Sequence, residues 1–121
     1  LIGVPPAGVP CPMMGKALKN LDAPVTKATS GILVLPEIDT LRQEALPCIR
    51  CGKCVSVCPM GLEPYLLAFQ CENKQFTEAQ ASHLADCIQC GSCSFECPSN
   101  RPILDYIRFG KDEVKKMNSI R

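Results

Sequence analysis

Eight cysteines in two similar phrases are the residues of this sequence with the clearest chemistry. The phrase CIRCGKCVSVCP covers residues 48–59, and CIQCGSCSFECP covers residues 87–98. The two phrases match at seven of twelve positions: four Cys, one Ile, one Gly and the final Pro. Cysteines in short repeated spacings form disulfides, bind zinc or hold iron–sulfur clusters, and the choice among these decides what the chain can do.

The spacing within each phrase favours iron–sulfur clusters. Disulfides require an oxidising compartment, for which the sequence carries no signal, and loops this tight would strain most pairings within a phrase. Zinc sites usually combine two distant C-x2-C pairs, whereas here three evenly spaced cysteines are followed by a Cys-Pro pair. The pattern C-x2-C-x2-C-x3-C-P is typical of bacterial two-cluster ferredoxins, in which the fourth Cys ligates the other cluster. We therefore expect two [4Fe–4S] clusters, with disulfides and zinc as the alternatives.

The shape of the cluster predicts how the eight ligands are divided. Three cysteines at three-residue intervals can reach three corners of one cube, so the fourth corner must be capped from elsewhere in the chain. The predicted ligands of the first cluster are Cys48, Cys51, Cys54 and Cys97. The predicted ligands of the second cluster are Cys87, Cys90, Cys93 and Cys58. This crossing would draw both clusters into one body, close enough for electron transfer.

Four other repeated positions have expected structural roles. Gly52 and Gly91 follow the second Cys of each phrase, where a missing Cβ lets backbone N–H groups approach the cluster sulfurs. Pro59 and Pro98 are expected to stop each loop from continuing as a helix.

Two further pairs are expected to affect the clusters directly. Ile49 and Ile88, between the first two cysteines of each phrase, are expected to screen the clusters from water. The next position differs, with Arg50 in the first phrase and Gln89 in the second. A cation favours the more negative, reduced state, so this difference predicts a higher potential for the first cluster.

Composition and charge narrow the remaining function classes. Ten cysteines, six aromatic residues and no Trp in 121 residues indicate a fold organised by bound metal rather than by a large apolar core. The formal net charge of +1 gives no case for binding nucleic acid or an anionic membrane surface. The chain has no apolar stretch long enough for a transmembrane segment and no secretory signal, so we expect a cytosolic location. Because it begins at Leu1 in a Pro/Gly-rich run, we expect a fragment of a longer polypeptide.

The predicted secondary structure changes from β-strand to helix near residue 45. Residues 1–45 are expected to be the β-rich tail of an upstream domain and a linker, with a strand at Ile32–Leu35. Residues 46–121 are expected to form the domain that holds the two clusters. The predicted fold is mainly α, an α-helical ferredoxin-like two-cluster domain preceded by a short β-containing segment.

Three helices are predicted around the cysteine loops. The first begins near Pro64, with an apolar face formed by Leu62, Leu66 and Phe69. The second follows a capping box at Thr77 and Gln80, with an apolar face formed by Ala81, Leu84 and Ala85. The third is opened by Pro102, with an apolar face formed by Ile103, Ile107 and Val114.

Nearly the whole chain resembles one protein family. The stretches PCIRCGKCVSVCPMGLEP and DCIQCGSCSFECPSNRPILDYIRFGK, and the upstream CPMMGKALKNLDAPVTKATSGILVL, are similar to the C subunit of the Rnf electron-transport complex. That family commonly reads Gly-Gly-Pro-Met-Met-Gly upstream, whereas this chain has Pro10 and Cys11 in place of the two glycines.

The resemblance implies an electron-relay function. The Rnf C subunit is a peripheral protein on the cytoplasmic face of the inner membrane, in an ion-pumping complex that moves electrons between ferredoxin and NAD. It implies partners among the other subunits and a redox partner protein, with FMN and NADH bound in a domain upstream. Accordingly, no G-x-G-x-x-G phosphate loop is present in this sequence. The chain would itself perform electron transfer only, as part of an oxidoreductase.

Three other functions stay open at this stage. A free-standing dicluster ferredoxin and a fragment of a cobalamin-reductase-type flavoprotein would also carry such clusters. A zinc-binding interaction module would bind zinc and carry no iron–sulfur cluster.

The remaining candidate residues have plainer expected roles. Cys71 is expected to be a small buried thiol, and Cys11 could be either a packed thiol or a further ligand. His83 is expected to be exposed to solvent, and Met13 and Met14 to serve packing or a turn.

Overall fold

The computed structural model describes residues 2–4, 16–17, 22, 24–27, 29, 31–34 and 43–120. In space the chain divides into two compact units, Leu1–Gln43 and Glu44–Arg121. The division into domains at residues 1–45 and 46–121 stays a prediction. Cys11, Met13 and Met14 lie outside the described residues.

The first unit contains three short antiparallel strands among its described residues. They are β1 (Ile2–Val4), β2 (Lys16–Ala17) and β3 (Leu33–Val34), in the spatial order β2-β1-β3. Gly3 pairs with Ala17 on one side and with Leu33 on the other. These strands are shorter than the five or six residues (about 17–20 Å) of an ordinary strand. The upstream β-rich domain to which they would belong therefore stays a prediction.

The second unit is helical, as the sequence predicts. Its helices are α1 (Lys53–Val57), α2 (Pro64–Glu72), α3 (Phe76–Ala81), α4 (Ser92–Glu96) and α5 (Ile103–Ser119), with a 3₁₀ helix at Leu84–Asp86. The short helices α1 and α4 lie inside the two cysteine phrases, and each ends before the Cys-Pro pair. The longer helices α2 and α5 follow the phrases and pack against each other.

The core of this unit lies between α2, α5 and the 3₁₀ helix. Its most deeply buried large side chains are Leu67, Cys71, Leu84 and Ile107, each less than 2% exposed. The prediction that Cys71 is a small buried thiol is confirmed. A Cβ placed on Gly110 would overlap the sulfur of Cys71, so α2 and α5 approach closely only because residue 110 has no side chain.

The predicted apolar face of α2 is wrong at two of its three positions. Phe69 is 56% exposed and Leu66 is only half-buried. The buried side chains of α2 are instead Pro64, Leu67, Ala68, Gln70 and Cys71. Because the helix begins at Pro64, the buried Leu62 lies before its first turn and does not set the phase of its buried face.

The predicted start and face of α3 are also wrong. The helix begins at Phe76, so Thr77 lies inside it and caps nothing. Ala81 and Ala85 are exposed, although Leu84 is buried as expected. His83, two residues after the end of α3, has a left-handed backbone with a φ of 65°, which ends the helical periodicity from which the face was predicted.

Helix α5 follows its prediction closely. Pro102 occupies the position before its first residue, and Ile103 and Ile107 are 2% and 1% exposed. Val114 is partly buried against the same core. Within the part of the chain that the structure describes, no helix has the length and apolar character needed to cross a membrane.

Candidate metal centres

The backbone of the first cysteine phrase is curled by two left-handed residues. Arg50 has a φ of 54° and Gly52 a φ of 76°. The N–H of Arg50 donates to Cys48 Sγ at 3.4 Å, and α1 begins directly after Gly52. A Cβ on Gly52 would meet nothing within 4 Å, so glycine is favoured here by its positive φ rather than by a lack of space.

The second phrase repeats this geometry 39 residues later. Gln89 has a φ of 57° and Gly91 a φ of 84°. The N–H of Gln89 donates to Cys87 Sγ at 3.4 Å, and α4 begins directly after Gly91. Backbone N–H bonds to a cysteine sulfur stabilise its thiolate form, which is the form that binds iron.

The backbone conformation at the end of the two phrases is the same. Cys58 and Cys97 follow α1 and α4 with extended backbones, at φ values of −70° and −67°. Gly61 and Asn100 then turn the chain with left-handed φ values of 66° and 54°. Their N–H groups donate to the carbonyl oxygens of Cys58 and Cys97 at 3.3 and 3.2 Å. The prediction that the helices stop at the Cys-Pro pairs is confirmed.

The first cavity has a volume of about 320 Å³ and is lined by cysteines from both phrases. Its cysteines are Cys48, Cys51, Cys54 and Cys97. The fourth of these comes from the second phrase, so the chain brings together the four residues predicted for the first cluster. The backbone N–H of Leu46 donates to the carbonyl oxygen of Ser99 at 2.8 Å, which ties the start of the first phrase to the end of the second.

The second cavity is smaller, about 20 Å³, but has a matching set of donors. Its cysteines are Cys58, Cys87, Cys90 and Cys93. Here the residue from the other phrase is Cys58, the reciprocal of Cys97 in the first cavity. The residues therefore fit two four-thiol sites in chemistry and in number.

The walls of the two cavities differ in polarity at corresponding positions. Arg101 and Ser99 line the first cavity, whereas the residues 39 positions earlier, Leu62 and Met60, line the second. Ile49 and Ile88 line their cavities but are 67% and 51% exposed. Their screening of clusters from water stays a prediction.

The thiols surround cavities rather than one point. Among the described residues, no three Cys, His, Asp or Glu side chains lie close enough together to hold a single metal ion. Zinc would require four sulfurs at about 2.3 Å from one ion. A cubane cluster spreads its ligand sulfurs around a larger body, so the arrangement suits a cluster better than a lone ion. The nine described cysteines are free thiols.

Burial keeps several of these thiols protonated without metal. It raises the pKa of Cys93 to about 11 and also raises the pKa of Cys54. Burial raises the pKa of Cys87 too, although the N–H of Gln89 and the charge of Lys111 oppose this shift. Metal binding at these sites must therefore release protons.

Sequence reasoning missed the charged residues that α2 and α5 bring to the loops. Lys111 Nζ donates to the carbonyl oxygens of Cys87 and Ala85 at 2.7 and 3.3 Å. Arg101 pairs with Glu72 at 2.9 Å and also lies 5.7 Å from the ring centroid of Tyr106. The 39-residue offset between the two phrases could have pointed to these residues. It aligns Lys111 with Glu72 and so places opposite charges at corresponding positions of the repeat.

Two family matches cover most of the chain. A family model described as a 4Fe–4S dicluster domain matches residues 47–101, and a second model with the same description matches residues 9–63. The first match contains all eight cysteines of the two phrases. Residues 47–101 therefore resemble a 4Fe–4S dicluster domain. The expectation of two [4Fe–4S] clusters is confirmed by these matches, whereas the assignment of individual cysteines to each cluster stays a prediction.

Curated relatives agree on one kind of protein. The chain is 48% identical over 103 residues to the C subunit of the proton-translocating ferredoxin:NAD(+) oxidoreductase complex of Clostridium ljungdahlii, covering 84% of this chain and 22% of that protein. It is 43% identical over 108 residues to the C subunit of the ion-translocating oxidoreductase complex of Rhodobacter capsulatus, covering 89% and 21%. With the corresponding C subunit of Methanosarcina acetivorans it shares 44% identity over 102 residues, covering 84% and 23%.

Over the shared region the chain is a homologue of these C subunits, as its sequence resemblance indicates. It spans about a fifth of their length.

Proposed function

We propose that this chain is the electron-relay segment of the C subunit in an ion-translocating oxidoreductase complex of the Rnf type. The observation that carries the proposal is the exchange of one cysteine between the two phrases: Cys97 lines the first cavity and Cys58 lines the second. This exchange would join the two cluster sites into one electron relay.

The cavity linings support a division of the ligands between the two clusters. The first cluster would be held by Cys48, Cys51, Cys54 and Cys97, and the second by Cys87, Cys90, Cys93 and Cys58. Each cluster supplies a site that takes up and releases one electron at a time. The chain holds the thiolates in place, donates N–H groups to their sulfurs and sets the local charge, and it makes or breaks no substrate bond.

The relatives support a proposal for the partners and the location. As part of such a complex, the chain would contact other subunits and exchange electrons with a redox partner protein at the cytoplasmic face of the membrane. FMN and NADH would bind in the upstream part of the same polypeptide, to which the short β-containing segment would connect. Electrons would pass between ferredoxin and NAD through the pair of clusters.

Metal content and redox activity of the protein test this proposal. Anaerobic purification should yield about eight irons and eight sulfides per chain, the content of two [4Fe–4S] clusters. Reduction should give the EPR spectrum of two interacting clusters, and oxidised ferredoxin should reoxidise them. Cys51→Ala with Cys90→Ala provides the matched control, because it removes one predicted ligand from each site. A colourless protein with about two zinc ions and no reducible signal would show an interaction module instead.

A further inference from the structure

The two cluster loops correspond in backbone but differ in the charges behind them. Residue 72 of α2 and residue 111 of α5 occupy corresponding positions, 39 residues apart. The first is Glu72 and the second is Lys111, so the repeat places opposite charges at the same point of its fold.

Lys111 makes direct contact with the second cysteine phrase. Its Nζ donates to the carbonyl oxygen of Cys87 at 2.7 Å and to that of Ala85 at 3.3 Å, across more than twenty residues of sequence. The side chain is partly buried, so water screens its charge less than it would on an open surface. Carbonyl oxygens accept hydrogen bonds from an ammonium group and carry no charge that would neutralise it. A positive charge is therefore held at the first cysteine of the second site.

The first site has a different charge balance. Arg101 lines the first cavity, but its guanidinium pairs with the carboxylate of Glu72 at 2.9 Å. This pair carries no net charge. Arg50 also lines the first cavity, but it is exposed to solvent, which weakens its field. Lys111, at the second site, is better shielded from water than Arg50 at the first. This reverses the expectation from Arg50 and Gln89 alone, which favoured a higher potential at the first site.

We propose that Lys111 is a positioning residue that fixes the Cys87 loop and uses its charge to favour reduction at the second site. This inference rests on the proposed function, which assigns a cluster to that site. Reduction adds one negative charge to the cluster and its thiolates, and a nearby cation stabilises the state with the greater negative charge. Removal of the cation should therefore lower the midpoint potential of the second site and leave that of the first unchanged.

Redox titration of four variants tests the inference. Lys111→Met removes the charge and both hydrogen bonds, Lys111→Gln retains a donor without the charge, and Lys111→Arg retains the charge. Lys115→Met is the matched control, because Lys115 lies on the same helix and is exposed. Each purified protein is analysed anaerobically for iron and titrated with EPR detection of both clusters.

The uncharged Lys111 variants should retain both clusters and shift one midpoint downward. The expected shift is three- to tenfold in the reduction equilibrium, about 30 to 60 mV at 59 mV per tenfold for one electron. Lys111→Arg and Lys115→Met should titrate like the unchanged protein. The inference is overturned if Lys111→Gln keeps both clusters and both original midpoints, or if Lys115→Met causes the same shift. Absence of iron from the unchanged protein would instead refute the proposed function.

Discussion

Replacement of Gly110 by Ala would test how the two halves of the repeat pack. Gly110 lies 39 residues after Cys71, so corresponding residues of the two halves meet where α2 and α5 approach each other. A Cβ on residue 110 would overlap Cys71 Sγ and lie 3.1 Å from Cys71 Cβ and 3.5 Å from Leu84 Cδ2. All three groups are buried, so the clash can be relieved only by moving core atoms.

The size of the effect follows from two opposing terms. Overpacking of a core costs about 1–3 kcal/mol, and this contact belongs at the upper end because it involves a fully buried sulfur. Ala gains about 0.8–1.0 kcal/mol over Gly in helix propensity. The net loss should be about 2 kcal/mol, or roughly 8–16 °C in the unfolding midpoint for a unit of 60–100 residues.

Removal of the opposing sulfur should reverse much of this loss. Cys71→Ala alone leaves a small cavity and should cost about 1 kcal/mol. In the double variant the new methyl group occupies the space that the sulfur leaves. Cys71→Ala with Gly110→Ala should therefore be more stable than Gly110→Ala alone.

Thermal unfolding of the four proteins, followed by far-UV circular dichroism under anaerobic conditions at one scan rate, measures this order. The unchanged protein should have the highest midpoint and Gly110→Ala the lowest, with Cys71→Ala and the double variant close together between them. The packing argument is refuted if the double variant is no more stable than Gly110→Ala. It is also refuted if Gly110→Ala matches the unchanged protein.

Three further predictions concern single positions. Gly61→Asn should change the free energy of unfolding by no more than about 0.5 kcal/mol, since Asn100 has a left-handed backbone at the corresponding position. Gly61→Val should lower that free energy by about 1–2 kcal/mol. Equal stability of the two variants in chemical denaturation would contradict this prediction. Arg50→Gln should lower the midpoint potential of the first site by less than Lys111→Met lowers that of the second. A larger shift for Arg50→Gln in redox titration would contradict this prediction. In a Cys11→Ser variant with both clusters in place, Cys71 should resist alkylation by iodoacetamide between pH 7 and 9. Burial raises the pKa of the Cys71 thiol and keeps it neutral. Mass spectrometry should find Cys71 alkylated only after denaturation, and alkylation of the folded protein would contradict this.

The sequence predicts the part of the fold that the cysteine spacing dictates. The eight cysteines, the two glycines and the two Cys-Pro pairs recur at one offset, and the backbone repeats with them. A motif of this kind constrains its geometry strongly because the bound group requires it. The exchange of Cys58 and Cys97 between the cavities could therefore be expected from the spacing.

The helix faces and the charged contacts were harder to predict for physical reasons. The buried face of α2 depends on where Pro64 starts the helix, and a shift of one residue turns the face by 100°, which places Phe69 at the surface. The end of α3 depends on the left-handed backbone of His83, a conformation that is uncommon for non-glycine residues and that hydrophobic periodicity does not reveal. The contact of Lys111 with the Cys87 loop is made between residues distant in sequence, and local patterns do not contain it.

Paired ligand deletions measure the central claim most directly, because they report which cysteines share a cluster. If Cys58 and Cys90 hold the same cluster, Cys58→Ala with Cys90→Ala should leave one intact four-iron cluster per chain. Cys58→Ala with Cys51→Ala should leave none. Both are counted by EPR spin integration after anaerobic reduction. The opposite result, no cluster in the first double variant and one in the second, would show that each phrase holds its own cluster and would contradict the exchange of ligands.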